Sequence, residues 1–456
     1  MVSKKNIYKF YFFFLFVHLF LWTLIPSLTN VNLPLDTIEA LAWGSNLSWG
    51  FNKHPPFSAF AVEFFYKIFG NQDWAYYLLS QLFVISAFIA VFNFAKDFFK
   101  SDYLAFLSVL LLESIFYYNY TSPEFNVNIS QLPFWAFSIF FAWRCIKHDK
   151  YLDYIFLSVT LGLGILSKYI FLYLVLGIKL LFLYLLIKKK IKSYNFLIVG
   201  PLVLLIVLPH IFWLFDNNFV TLSYGINRTG GVGNLMDHLI FPITFIFKQL
   251  IILLPFFIMT FFLINKFKLN KIVLDQKLIF LFFTFLIPLL FIFLTSMIMG
   301  AKLRTMWMTP FYLLAGVVII QIFRKNINLN KIKKFYIVFV FFFLISPGTY
   351  ALISLKNDFK RTDYPGKEIA RLVQNRWDDN FTNEIKIVIG DEWFAGNLSY
   401  HLDSRPKWII ELKDESKNLN KEEGVIYTGN PKILKNICPG VFGSIKPVGY
   451  CMIGIR

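Results

Sequence analysis

The chain has 456 residues, of which 57% are hydrophobic and 57 are phenylalanine, and 45 Lys and Arg against 27 Asp and Glu give a net charge of +18. That composition excludes an ordinary soluble domain. The excess charge does not point to nucleic acid either, because most of it stands in short turns between apolar runs.

Spans of roughly 20 apolar residues are expected near 8–26, 73–95, 103–118, 130–146, 152–166, 169–187, 195–215, 238–264, 278–298, 306–323 and 335–354. The connections between them alternate between rich and poor in Lys and Arg, and by the positive-inside rule the rich side, with the N-terminus, is cytoplasmic. The first span has a basic lead but no small-residue cleavage site, so it reads as uncleaved. An odd number of spans then places everything after residue 354 outside the cytoplasm.

The first outer connection, 27–72, is far longer than a usual link and reads as functional. Pro34 ends its entry, Asp36 is placed to cap a helix with Ile38, Leu41, Ala42 and Trp43 on its apolar stripe, and Pro55-Pro56 opens a second helix with Phe57, Phe60, Ala61, Phe64 and Phe65 on one face. Both are expected to lie along the outer membrane surface. Further outer connections are YNYTSPEFNVNIS, the break at LSKY, and a loop that is glycine-rich at Gly230, Gly231 and Gly233, expected to cover the site.

From about residue 355 the charges are mixed and the apolar runs short. Pro365 to Trp377 reads as a helix, and IKIVIGD, KWIIEL, EEGVIYT and YCMIGIR read as strands, giving a small α/β domain over 355–456 behind a transmembrane domain over 1–354. Cys438 and Cys451 lie in that tail. A bridge between them and two buried free thiols are equally compatible with the sequence.

Asp36 and Glu39, three residues apart, share one helix face and can accept a proton or hold a divalent ion. Lys53 and His54 follow before the rigid Pro55-Pro56. Lys168 is the only charge between Ile155 and Ile178, where a lysine is costly unless paired or functional. Arg228, Lys302 and Arg304 complete a group of cations on the side where topology gives them no reason to be. Cations at one membrane face suit a phosphate that cannot leave the bilayer. Asp391, Glu392, Trp393 and Asn397 receive no catalytic role, since a strand end followed by a helix cap accounts for Asp391.

The loop LDTIEALAWG with WGFNKHPP, the LGILSKY break and the tail DYPGKEIA with GDEWFAGNLSYHLDSRP together resemble the bacterial glycosyltransferase family 39 proteins, relatives of the protein O-mannosyltransferases and of the lipid A aminoarabinose transferase. The resemblance runs over essentially the whole chain. It implies a polytopic helical membrane fold of the C-type glycosyltransferases with a small extracytoplasmic α/β domain, located in the bacterial inner membrane. It also implies a polyprenyl-phosphate sugar donor, and an envelope glycolipid, glycan or protein as acceptor. Asp36 takes the role of the catalytic carboxylate. Relatives carry an adjacent Asp-Glu, where this chain has Asp36-Thr37 and puts its second acid at Glu39. Lys53, His54 and Lys168 match elements that face the donor phosphate, joined by Arg228, Lys302 and Arg304. No organic cofactor is implied; relatives bind a divalent metal, for which this sequence shows no ligand set.

A transporter or flippase of lipid-linked sugars is the alternative, because charges in membranes also mark pathways. The polar residues gather in outer loops and no repeated halves are visible, which favours an enzyme.

Overall fold

A computed structural model describes residues 4–190, 194–230, 234–265, 267, 275–327, 332–356, 360–410 and 421–456. Gly231, Gly233 and the end of the KWIIEL segment lie outside them. Among the described residues, seven helices are long and apolar enough to cross a membrane, two further pairs are each bent by 53° at a short break, and two shorter apolar helices, Asp102–Leu112 and Tyr151–Ser167, accompany them. These eleven features fall on the eleven segments expected from hydropathy, so the chain is a multi-pass membrane protein. The bends have local causes. Leu254-Pro255 restarts one helix, and Pro310 interrupts the other.

In chain order the helices that matter for the site are α1 (Lys4–Thr29), α2 (Leu35–Gly44), α3 (Phe57–Phe69) and α4 (Asp73–Phe99). They continue with α5 (Asp102–Leu112), α6 (Val127–Ser130), α7 (Leu132–His148), α8 (Tyr151–Ser167), α9 (Leu172–Ile187), α10 (Val199–Asp216) and α11 (Val220–Thr229). The tail forms one sheet in the order β2-β1-β3-β5-β4, with β1 (Ile387–Ile389), β2 (Lys407–Ile409), β3 (Val425–Gly429), β4 (Val441–Ile445) and β5 (Val448–Ile453). β1 pairs parallel with β2 and β3, and β5 pairs antiparallel with β3 and β4. β4 has no counterpart among the expected strands, because Gly443 and Ser444 break its apolar run. Cys438 and Cys451 are bridged, with Cα atoms 5.5 Å apart.

One detail of the first outer connection differs from expectation and a second adds to it. Asp36 does not cap α2: Pro34 stands at the cap and Asp36 sits in the first turn, its carboxyl left for other work. The buried face of α3 is Ser58, Ala59, Val62 and Glu63 rather than the aromatic one. Small residues win there because α3 packs closely against α2, where a Cβ on Gly44 would meet the carbonyl oxygen of Ala59 at 3.0 Å. Phe64 is left 62% exposed, as suits a helix lying on a membrane surface.

The tail does not pack by itself. Trp43, Phe51 and Ala59 from the connection share one apolar core with Val373, Trp377, Leu398 and Trp408 from the tail. Arg405 fastens the two, bonding the Leu41 carbonyl and the Glu63 carboxylate at 2.7 Å each and lying 4.3 Å from the centre of the Tyr66 ring. Breaking one partner of such a buried pair costs about 3–5 kcal/mol. Arg405→Ala is therefore expected to lower the thermal unfolding temperature and to hasten proteolytic release of the tail from the detergent-purified chain. An unchanged unfolding temperature would mean that the contact is solvated and without weight.

Candidate functional site

The site is built from six stretches of chain that meet at the end of α8. α2 brings Asp36 and Glu39, and it is held at its start by the second outer connection: the Asp36 amide donates to Glu124 Oε1 at 3.1 Å, and the Thr37 hydroxyl donates to the Phe125 carbonyl at 3.1 Å. That connection is fixed in turn by a buried polar network. His18 pairs with Glu113 at 2.8 Å and Gln81 at 3.2 Å, and the Gln81 amide donates to Ser122 at 3.1 Å. Polar groups so deep are tolerated only because each finds a partner.

The 49–54 stretch is anchored from the membrane helices. His210 on α10 bonds the Trp49 carbonyl at 2.6 Å, the Thr221 hydroxyl donates to the Phe51 carbonyl at 2.8 Å, and Trp213 lies so close to Gly50 that a Cβ there would meet the ring at 2.2 Å. Lys168 follows the last turn of α8 in an extended conformation. Its Nζ donates to Asn128 Oδ1 at 2.6 Å and lies 5.2 Å from the centre of the Trp307 ring. Asn126 caps α6 and so sets the position of Asn128.

Two cavities meet at these residues. A polar one of about 260 Å³ is lined by Asp36, Glu39, Lys53, His54, Asn128, Lys168, Arg228 and Trp307. A larger groove of about 800 Å³ shares Lys53, His54, Lys168, Arg228 and Trp307, then runs on along Leu172, Leu176, Ile292, Leu294 and Ile298. Six of the eight residues expected at the site therefore line the same junction. Lys302 and Arg304 do not: both are exposed, and Lys302 faces the Phe241 ring at 5.9 Å.

The charges at the junction are unequal. Lys53 Nζ lies 2.5 Å from Glu39 and 3.0 Å from Glu392, which comes from the turn after β1. Lys168 and Arg228 have no carboxylate partner among the described residues. Burial raises the Asp36 carboxyl above its ordinary value, against the pull of Lys168, Lys53, Arg361 and Arg228. Burial likewise lifts Glu39 to about 7, with Lys53 opposing. Glu124 is raised by burial and then by the neighbouring Asp36 carboxylate. Burial opposes a charge on Lys53 too, yet Glu39 and Glu392 outweigh it and raise its pKa. His54 is pushed well below the usual imidazole range by burial and by Lys168, Lys53 and Arg228, so it is neutral and offers hydrogen bonds rather than charge.

Glu124 escaped the sequence reading, and Glu392 was noted there but given no role. Glu124 is the one acid in an otherwise uncharged outer connection, a signal of the same kind as the one that marked Lys168. Glu392 sits beside Asp391, whose carboxyl does cap the following helix by accepting from the Trp393 and Phe394 amides at 2.8 and 2.9 Å; the cap explained that position and hid its neighbour. No three His, Cys, Asp or Glu side chains converge as a metal site among the described residues.

Residues 53–213 match the family model for dolichyl-phosphate-mannose-protein mannosyltransferases. The fold is similar to that of ArnT from Cupriavidus metallidurans bound to undecaprenyl phosphate, with a TM-score of 0.63 at 12% identity over 99% of this chain and 98% of that one. The same protein in its apo state gives a TM-score of 0.64 at 11% identity, covering 97% of this chain and 98% of that one. Among curated proteins none matches significantly in sequence. Residues 53–213 are accordingly a region of the protein mannosyltransferase type set in a fold like that of ArnT, and the two together indicate a glycosyltransferase, as the resemblance to glycosyltransferase family 39 led one to expect.

Proposed function

We propose that the chain transfers a sugar, with inversion, from a polyprenyl-phosphate donor to a hydroxyl or phosphate of an envelope glycolipid such as lipid A, of another glycan or of a protein, at the outer face of the bacterial inner membrane. The observation that carries this reading is the junction of a small polar cavity holding carboxylates with an apolar groove, with Lys168 and Arg228 at the point where they meet. A polyprenyl chain suits the groove, its phosphate the two cations, and its sugar the polar cavity. The undecaprenyl phosphate bound to ArnT and the bridged Cys438–Cys451 in the tail, which suits an oxidising compartment, both support it.

In the reaction the acceptor oxygen attacks the anomeric carbon as its proton passes to the Asp36 carboxylate, and the bond from that carbon to the lipid phosphate oxygen breaks. The phosphate gains one negative charge as it changes from diester to monoester. Lys168 and Arg228 stabilise that growing charge, and cations fixed beforehand in a partly dry site cost no reorganisation when it appears. His54 contributes a neutral hydrogen-bonding group, and Glu124 holds the start of α2 so that Asp36 faces the cavity.

Mass spectrometry of envelope glycolipids and glycoproteins from cells with and without the chain tests the reading: one defined sugar is lost on deletion. Asp36→Asn is expected to lose that sugar as well, with turnover down about 10²–10⁴-fold and undecaprenyl phosphate binding retained. A sugar that survives in the variant but not in the deletion moves transport of lipid-linked sugars ahead.

Lys168→Met removes one charge-assisted contact, so binding of undecaprenyl phosphate by the purified chain should weaken about tenfold or more. Unchanged affinity would leave Lys168 as a membrane-surface anchor.

Because burial raises Asp36 and the base form is the unprotonated one, kcat/KM is expected to fall with acidification around a midpoint above the ordinary carboxylate value of about 4. A midpoint at or below that value would take the role of base away from Asp36.

A further inference from the structure

Lys53 stands among the cations of the junction but is differently engaged. Its ammonium is shared between Glu39 at 2.5 Å and Glu392 at 3.0 Å, and the Asn52 side-chain amide steadies Glu392 at 3.2 Å. All three members of this triad are largely withdrawn from water, Lys53 to 23%, Glu39 to 12% and Glu392 to 13% exposure. Two carboxyls share one ammonium, and since burial lifts Glu39 to about 7 the ammonium is at least fully balanced by them at neutral pH. Lys168, by contrast, spends its hydrogen bond on a neutral amide.

The proposed reaction makes this difference matter. The donor is a phosphodiester with one negative charge, whereas the product lipid phosphate is a monoester carrying about −1.5 to −2 at neutral pH. A junction with three unengaged cations would hold the product more tightly than the donor and slow each turnover at its release. We propose that Glu392 is a positioning residue that acts with Glu39 to keep the Lys53 ammonium from the lipid phosphate, and so weakens retention of the polyprenyl phosphate product. This rests on the donor class proposed above. It gives the tail a part in the chemistry: a carboxylate from the tail, held on Lys53, sets how strongly a membrane-bound ligand is held.

The test is the affinity of the detergent-purified full chain for undecaprenyl phosphate, measured for the wild type, Glu392→Gln, Lys53→Met and the double variant, with thermal unfolding as a check on folding. Glu392→Gln leaves the ammonium held by Glu39 alone, with a donor N–H released for the phosphate, and is expected to tighten binding about tenfold, the worth of one charge-assisted hydrogen bond. A damaged fold would weaken binding instead. Lys53→Met should change the affinity less than about twofold, since the engaged ammonium adds little to it, and the double variant should bind like Lys53→Met. Equal or weaker binding by Glu392→Gln overturns the inference, and so does a gain that persists without Lys53, which would assign it to the loss of negative charge alone. If neither the wild type nor any variant binds undecaprenyl phosphate, the donor class itself is wrong and both readings fall. If all of them bind it alike, only this one does.

Discussion

α2 is ten residues long and carries the carboxylate on which the proposed chemistry turns, and it is too short to hold a conformation by itself. Both its ends are fastened from outside. The Glu124 carboxylate and the Phe125 carbonyl take the Asp36 amide and the Thr37 hydroxyl at its start, while Arg405 takes the Leu41 carbonyl and Ser45 takes the Trp408 amide near its end. One set of contacts comes from the membrane part and the other from the tail. The position of Asp36 therefore depends on the whole chain rather than on its own loop, and the core shared by Trp43, Phe51, Trp377 and Trp408 has the same origin.

That arrangement carries an electrostatic cost. Asp36, Glu39 and Glu124 are crowded together at low exposure, and such carboxylates resist ionisation through burial and mutual repulsion. Lys53, Lys168, Arg228 and Arg361 offset part of it, yet the balance for Asp36 remains upward. A base with a raised pKa is a better proton acceptor than a solvated carboxylate, so the same burial that strains the site suits it to its task. His54 shows the converse. Burial, and then three cations around the imidazole, keep it neutral, and a residue that reads as a cation in the sequence becomes a plain hydrogen-bonding group.

The membrane part was legible because hydropathy and the distribution of Lys and Arg act on every span in the same way, and the short α5 and α8 still registered through their lack of charge. Lys168 was legible for a related reason, being a charge where charges are expensive, whereas Asp36 was singled out by its spacing from Glu39 and by the resemblance of its loop. Glu39 and Lys53 were found, but not that they pair, because a contact across fourteen residues depends on how the 45–54 stretch turns back over α2. Lys302 and Arg304 were grouped with the others on membrane side alone, and sharing a side does not bring residues to one point. Glu392 and Arg405 lie beyond such reasoning, since their partners are more than 300 residues away in the chain. The aromatic face of α3 was legible as an apolar stripe, but the small-residue face that packs against Gly44 was not, because such a face carries no stripe of its own.

The groove argues further about direction of approach. Leu172, Leu176, Leu294 and Ile298 line it and are themselves substantially exposed, which at this depth means exposed to lipid tails rather than to water. In the proposed reaction a lipid-linked donor enters sideways from the bilayer, and its phosphate stops where the first fixed cations stand. A water-soluble nucleotide sugar would find apolar surface along most of that path and would have to give up its hydration there. The acceptor is under no such restriction, because Asp36 and Glu39 lie at the polar end of the junction, away from the groove's apolar walls. The physical selectivity of the site thus falls on the lipid half of the donor, and the identity of the sugar and of the acceptor is left to the polar cavity and to the loops around it.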